Sequence, residues 1–154
     1  MTDVWFYHLE RANLEAVLPG LLEKTLERGW RALVVAGSDE RADMIDGHLW
    51  TYKDESFLPH GRAGDPHAPD QPVLIGTELS LSNNAHLVFF VDGARPSDWQ
   101  SPDIADRERC IFVFDGNLDV AVEAAREDWQ QAKEAGHTVT YYQQAENGRW
   151  EKRA

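Results

Sequence analysis

The sequence is poor in cysteine and in positive charge. Cys110 is the only cysteine among 154 residues, so no internal disulfide and no zinc site built on cysteines can form. The sequence has 15 Lys and Arg residues and 27 Asp and Glu residues, which gives a formal net charge of −12 at pH 7. This charge repels nucleic-acid phosphates, so we expect contact with DNA to be indirect. The scarcity of cysteine also predicts a reducing, cytoplasmic location.

Long hydrophobic runs are absent as well. A run such as 87–91 is far too short to cross a bilayer, and the first residues lack the basic stretch of a signal peptide. We therefore expect no membrane contact. The length predicts one domain over residues 1–154, which on folding would bury roughly two thirds of its unfolded surface.

The glycine-rich motifs that bind phosphate are missing. Neither G-x-x-x-x-G-K-[ST] nor G-x-G-x-x-G occurs, and the turn that follows the first predicted strand, 8–11, has no glycine. No G-x-S-x-G nucleophile motif occurs either, and Cys110 opens a buried-looking strand, where a thiol behaves as a small hydrophobic group. We expect no nucleotide, no cofactor and no catalytic residue.

Short apolar runs that end in turn residues alternate with helical patterns. The predicted strands are 4–9, 31–36, 73–77, 87–91, 111–114 and 138–142. Two helices are predicted at 14–26 and 119–135. A third predicted helix begins after a Ser38 cap and has Ala42, Ile45 and Leu49 on its apolar side. This order predicts an α/β three-layer sandwich with a mostly parallel sheet. Pro19-Gly20 means that the first helix is either kinked there or begins at Pro19. Residues 51–71 are interpreted as an ordered loop.

Two groups of side chains are candidates for a metal site. Asp92 and Asp115 each follow an apolar strand and could share Mg²⁺ in a small metal-dependent phosphotransfer or hydrolase enzyme. The alternative, which we favour, is that each Asp-Gly pair is an ordinary turn. His60, Asp65 and His67 lie close together, but their spacing matches no common ligand geometry, so a solvated loop is favoured and no metal is expected.

The last predicted helix brings an aromatic residue next to positive charge. Its apolar arc is formed by Leu118, Ala121, Val122, Ala125, Trp129 and Ala132, and its acidic side by Glu123, Glu127 and Glu134. Arg126, Gln130 and Lys133 fall between the two. Cations beside Trp129 suit an acidic peptide that ends in a hydrophobic side chain. The alternative is an ordinary amphipathic helix whose cations pair with neighbouring Glu residues.

Residues 49–60 hold several large apolar side chains in a loop-like stretch. They either leave an exposed patch that marks a partner surface or form a small cluster that covers the edge of the sheet. Periodicity does not decide between these alternatives, because it does not say which way a loop side chain points.

Three segments together resemble the chi subunits of the bacterial DNA polymerase III holoenzyme. They are the opening strand with 6–9, the Leu49-Trp50 pair followed by 55–61, and 125–127 leading to Gly136. The resemblance implies an α/β fold like that of nucleotide-binding domains without a nucleotide site. It also implies an accessory, non-catalytic subunit. Such a subunit links the clamp-loader assembly, through the psi subunit, to single-stranded DNA-binding protein by binding the acidic, Phe-terminated tail of that protein.

The resemblance also implies two sets of site residues. The tail-binding set is Arg126, Trp129, Gln130 and Lys133, and the psi-interface set is Trp50, Phe57, Pro59 and His60. Gln130 and Asp128 depart from the family pattern and weaken the positive patch. The expected consequences are a lower tail affinity or a contribution of charge from Arg149, Lys152 and Arg153.

Two further functions stay open from the residues alone. One is a stand-alone sensor domain whose pocket takes a small molecule. The other is direct binding of single-stranded DNA with Trp5, Tyr7 or Trp129 stacking on bases, which the net charge disfavours.

Overall fold

A computed structural model describes residues 2–10, 12–52, 58–147 and 149–153. The fold is an eight-stranded sheet with helices on both faces, so the predicted α/β sandwich is confirmed. The strands are β1 Asp3–Leu9, β2 Ala32–Val35, β3 Gly61–Arg62, β4 Val73–Gly76, β5 Leu87–Val91, β6 Arg109–Asp115, β7 Thr138–Gln144 and β8 Trp150–Lys152. The helices are α1 Leu14–Glu27, α2 Asp39–Thr51, α3 Pro102–Ala105 and α4 Asp119–Glu134, with a 3₁₀ turn at Ala68–Asp70.

The strands lie in the order β3-β4-β2-β5-β6-β1-β7-β8. Neighbouring strands are parallel except for the β7–β8 pair, which is antiparallel. Successive side chains of a strand point to opposite faces, so the sheet has two cores. On one face α1 and α2 pack against residues such as Tyr7 and Val34, and on the other α3 and α4 pack against residues such as Phe6 and Leu33. Burial on both faces explains why the central strands are solid apolar runs.

Helix α1 begins at Leu14 and runs through Pro19, so the alternative of a start at Pro19 is wrong. The side chain of Asn13 caps the helix by accepting a hydrogen bond from the Ala16 amide at 2.9 Å. Pro19 has no N–H to donate to the Glu15 carbonyl, four residues earlier. His48 of α2 replaces that donor, because its Nε2 donates to the Glu15 carbonyl oxygen at 2.6 Å.

Helix α2 has the predicted Ser38 cap, whose hydroxyl accepts from the Arg41 amide at 3.2 Å, and buries Ala42, Ile45 and Leu49 as predicted. Arg41 bridges three parts of the fold. Its guanidinium lies 2.7 Å from a Glu15 oxygen on α1 and 3.0 Å from an Asp92 oxygen in the turn after β5.

The described part of the 51–71 segment is an ordered loop, as predicted. It contributes β3 and the 3₁₀ turn, and it buries Leu58 and Ala68 in the two cores. Residues 53–57 lie outside the described part of the chain. No helix among the described residues is both long enough and apolar enough to span a bilayer.

Candidate peptide-binding site on helix α4

Helix α4 follows β6 and packs against the sheet beside β1 and β7. The small side chains of Ala125 and Ala132 are buried there, which lets the helix lie close to the strands. The Trp129 ring is half-buried and packs against Phe6 of β1 and Tyr141 of β7, with ring centroids 5.6 and 6.1 Å apart. Trp129 is therefore held at the border between the core and the solvent.

The three polar residues that accompany Trp129 are exposed. Arg126, Gln130 and Lys133 lie on the outer side of α4 together with the rim of the Trp129 ring, and we call these four residues the tail site. Across the described ranges, neither Arg126 nor Lys133 forms an ion pair with a carboxylate. The alternative in which these cations pair with neighbouring Glu residues is therefore not what the structure shows.

Tyr141 and His8 adjoin the tail site and were not singled out by the sequence analysis. The Tyr141 hydroxyl is hydrogen-bonded to His8 Nδ1, and His8 Nε2 lies 3.3 Å from a Glu10 oxygen. Burial and the charge of Glu10 raise the pKa of Tyr141, while the positive charge of Arg126 acts in the opposite direction. The rings of Trp129 and Tyr141 thus lie next to the guanidinium of Arg126, which has no carboxylate partner within the described ranges. In the sequence, Val139 and Tyr141 are two positions apart in a predicted strand and therefore lie on the same face of the sheet. This alternation could have identified Tyr141 as a neighbour of α4.

Asp128 does not weaken the positive patch in the way expected from its sequence position. Residues two apart on a helix are separated by about 200°, so Asp128 faces away from Arg126 and Gln130. Its side chain is buried and lies 3.4 Å from the Arg95 guanidinium. Gln130 still departs from the family pattern, because its neutral amide lies in the tail site where a positive charge is expected.

The three C-terminal cations lie in β8 or directly beside it. Arg153 donates its backbone N–H to the Tyr141 carbonyl, and its guanidinium pairs with Glu151 at 3.0 Å. Lys152 lies opposite Tyr142, whose side chain is on the α1 face. Lys152 therefore belongs to the face away from the tail site, and Arg149 is exposed before β8.

The described residues of the psi-interface set lie near the end of α2. Trp50 is 56% exposed and its ring lies 4.6 Å from the His60 ring, measured between centroids. His60 itself is buried, with Nδ1 2.7 Å from the Leu58 carbonyl and Nε2 3.1 Å from the Asp46 carbonyl. Its ring supports Trp50 from beneath. Pro59 is half-buried, and Phe57 lies outside the described residues. Trp50 is exposed, whereas Leu49 and Leu58 are buried in the core, so the segment has features of both alternatives.

Four of the five metal candidates have other contacts, and the fifth, His67, precedes the 3₁₀ turn. Asp92 binds Arg41, while an Asp115 oxygen accepts from the Asn117 amide at 2.9 Å in the turn after β6. Both His60 ring nitrogens face carbonyl oxygens, and Asp65 accepts from the Arg62 amide at 3.1 Å. In the part of the chain that is described, no three His, Cys, Asp or Glu side chains come together as a metal site.

Cys110 is fully buried in β6, as expected for a small hydrophobic group. Loss of hydration raises the pKa of its thiol to about 12. The thiolate needed for nucleophilic chemistry is therefore not formed at neutral pH.

Comparison with known proteins identifies the family. Residues 1–140 match the family model described as "DNA polymerase III chi subunit, HolC". A protein of Rickettsia prowazekii (strain Madrid E) named "Probable DNA polymerase III subunit chi" is 28% identical over 91 residues, which cover 59% of this chain and 55% of the relative. The "DNA polymerase III subunit chi" of Pseudomonas aeruginosa (strain PAO1) is 28% identical over 92 residues, covering 58% of this chain and 63% of the relative.

The chain thus spans between half and two thirds of the length of these relatives. The match to the family model covers residues 1–140. The α/β sandwich, which lacks a glycine-rich phosphate-binding motif, and the exposed cations beside Trp129 on α4 are consistent with this family. The chain belongs to the family of DNA polymerase III chi subunits, which are accessory, non-catalytic components of that replication enzyme.

Proposed function

We propose that this protein is a cytoplasmic adaptor in DNA replication. It binds the acidic C-terminal tail of single-stranded DNA-binding protein through the tail site and the psi subunit of the clamp-loader assembly through the surface around Trp50. Contact with DNA is indirect in this proposal. Within DNA polymerase III, the protein contributes binding and performs no chemical step.

One observation supports tail binding above the others. Arg126 and Lys133 are exposed and have no carboxylate partner among the described residues, although acidic side chains outnumber basic ones in the chain by 27 to 15. Other exposed cations of the described residues, such as Lys24 and Arg149, also lack an ion pair. Arg126 and Lys133 differ from these in lying two helical turns apart on one side of α4, next to the Trp129 ring. Two cations so placed are free to bind carboxylates of another chain.

The geometry suggests how the two kinds of contact cooperate. Residues 126 and 133 are separated by seven positions, about two helical turns, so both cations lie on one side of α4 and can bind successive carboxylates of an extended peptide. The Trp129 and Tyr141 rings offer an apolar surface for the terminal aromatic side chain. Charge then attracts the peptide, and ring contact selects its hydrophobic end.

The test is a binding titration with a fluorescent acidic peptide that ends in Phe. Arg126→Glu and Lys133→Glu should each weaken binding by roughly tenfold or more, because each reversal replaces an attractive contact by a repulsive one. Lys24→Glu is the matched control: it makes the same charge change at an exposed position of α1. Trp50→Ala is the second control, since it lies in the separate psi surface.

Equal affinities of Arg126→Glu and the unmutated protein would contradict the assignment of the tail site. Loss of tail binding in Lys24→Glu to the same extent would show that only the net charge matters. The same titration with a peptide ending in Ala in place of Phe measures the ring contact. We expect binding to this peptide to be weaker and no longer sensitive to Trp129→Ala.

A further inference from the structure

A cleft lies on the opposite side of α4 from the tail site. It has a volume of about 800 Å³ and opens at the carboxyl ends of β1, β5 and β6. Strands β1 and β6 are neighbours, but the helices that follow them, α1 and α4, lie on opposite faces of the sheet. The cleft thus occupies the position at which open parallel sheets bind ligands.

The walls of this cleft are apolar. Phe90 and Phe112 form its floor, and the short side chains of Ala121 and Ala125 leave room beneath α4. At the rim of the cleft, the lining residues Leu118 and Val120 are 57% and 81% exposed. An apolar surface therefore continues from the cleft onto the outside of the molecule, further than a small molecule inside the cleft would cover.

The charged groups of the cleft are almost all acidic. Its lining contains five carboxylates and one guanidinium: Glu10, Glu15, Asp92, Asp115, Asp128 and Arg41. Arg41 is already bound by Glu15 and Asp92. The cleft therefore repels phosphate and other anions and attracts a cation, which separates it from the nucleotide sites of similar folds.

Asp128 supplies an unused acceptor in this cleft. Its side chain is 7% exposed, and its Oδ1 makes no hydrogen bond. The nearest cation is Arg95 Nε at 3.4 Å, and Arg95 is itself 38% exposed and also faces Glu127 at 3.8 Å. A buried carboxylate oxygen without a hydrogen bond is costly, and a donor brought by a ligand would remove this cost.

We propose that this acidic cleft binds a segment of a partner protein in which an apolar side chain lies next to Lys or Arg. The apolar side chain enters between Phe112 and α4, and the cation pairs with the carboxylate of Asp128. Leu118 and Val120 cover the adjoining part of the segment. This proposal does not depend on the tail site, which lies on the other side of the helix and has the opposite charge.

The test uses a displayed library of random short peptides selected on the intact protein. Binders that are also retained by Ala121→Trp, a variant whose indole fills the cleft, are removed. We expect the remaining sequences to be enriched in an apolar residue beside Lys or Arg. A synthetic peptide of that sequence should bind Asp128→Asn roughly tenfold more weakly. It should bind Glu123→Gln, which removes one charge from the exposed side of α4, with unchanged affinity.

Several results would overturn the proposal. Selected peptides without cations would contradict the proposed occupant. A selection in which every binder is also retained by Ala121→Trp would show that the cleft is not the site. Equally tight binding of phenethylamine alone would make the occupant a small amine. Self-association that is abolished by Ala121→Trp would make it a second copy of this chain. Circular dichroism of each variant separates loss of binding from loss of folding.

Discussion

A single buried carboxyl group gives the stability of this protein a dependence on pH. Burial raises the pKa of Asp128 from 3.8 to about 6, against the opposing charge of Arg95. The folded state thus favours the protonated form. The stabilisation that this provides is fully present below pH 3.8 and is lost as the pH rises through about 6.

We predict that Asp128→Asn raises the free energy of unfolding above pH 6 by roughly 2–3 kcal/mol, because the amide carries no charge to bury. Below the ordinary Asp pKa the variant and the unmutated protein should be equally stable. Urea denaturation over this pH range measures the difference, with Glu123→Gln as the exposed control. A loss of stability in Asp128→Asn at neutral pH would mean that the pair with Arg95 outweighs the cost of burial.

At the scale of single residues, periodicity predicted part of the candidate site. A turn of 100° per residue placed Arg126, Gln130 and Lys133 together, and the structure has them exposed on one side of α4. The burial of Asp128 depends on Arg95, which lies in a loop more than thirty residues earlier. No local pattern contains such a contact. The same holds for Tyr141, whose position beside Arg126 depends on the pairing of β7 with β1.

At the scale of secondary-structure elements, α1 tolerates an internal proline because α2 supplies a donor. We predict that His48→Ala destabilises the protein by roughly 1 kcal/mol, since it leaves the Glu15 carbonyl without that hydrogen bond. The cost should be smaller in the Pro19→Ala background, where the amide of residue 19 donates to the same oxygen within the helix.

A double-mutant cycle over these two positions isolates the effect. Contacts that each substitution removes by itself, such as the His48 ring against Tyr52, cancel in the cycle. Denaturant titrations of the four proteins give the coupling energy. Coupling indistinguishable from zero would mean that the Glu15 carbonyl does not need His48.

The elements that could be predicted are those with a strong apolar pattern. Strand β5 was predicted at 87–91 and is found there, and α4 was predicted within one residue of its end. Strands β3 and β8 and helix α3 were missed because they are two to four residues long and carry no periodic pattern. β3 and β8 owe their form to pairing with a neighbouring strand.

At the scale of the whole molecule, the net charge of −12 should make salt act in opposite directions on folding and on tail binding. We predict that moderate sodium chloride raises the melting temperature, because it screens repulsion between carboxylates. The same salt should weaken binding of the acidic peptide, because it screens attraction to Arg126 and Lys133.

Thermal unfolding and peptide titration over one series of salt concentrations measure the direction of the change in melting temperature and in peptide affinity. Sodium sulfate and sodium thiocyanate at equal low ionic strength serve as controls, since screening depends on ionic strength while their specific effects on hydration differ. Opposite shifts in these two salts would assign the change in melting temperature to hydration. A tail affinity that does not change with salt would contradict recognition by charge.

The two ends of the sheet restrict how this protein can join an assembly. One edge strand is β3, which has only two residues, and the other is β8, which carries the exposed charges of Glu151 and Lys152. Short or charged edge strands disfavour the addition of a strand from another protein through backbone hydrogen bonds. We therefore expect a partner protein to recognise side chains of this protein rather than to add a strand to its sheet. Its binding specificity can then evolve by substitutions on helix surfaces, without any change in the sheet.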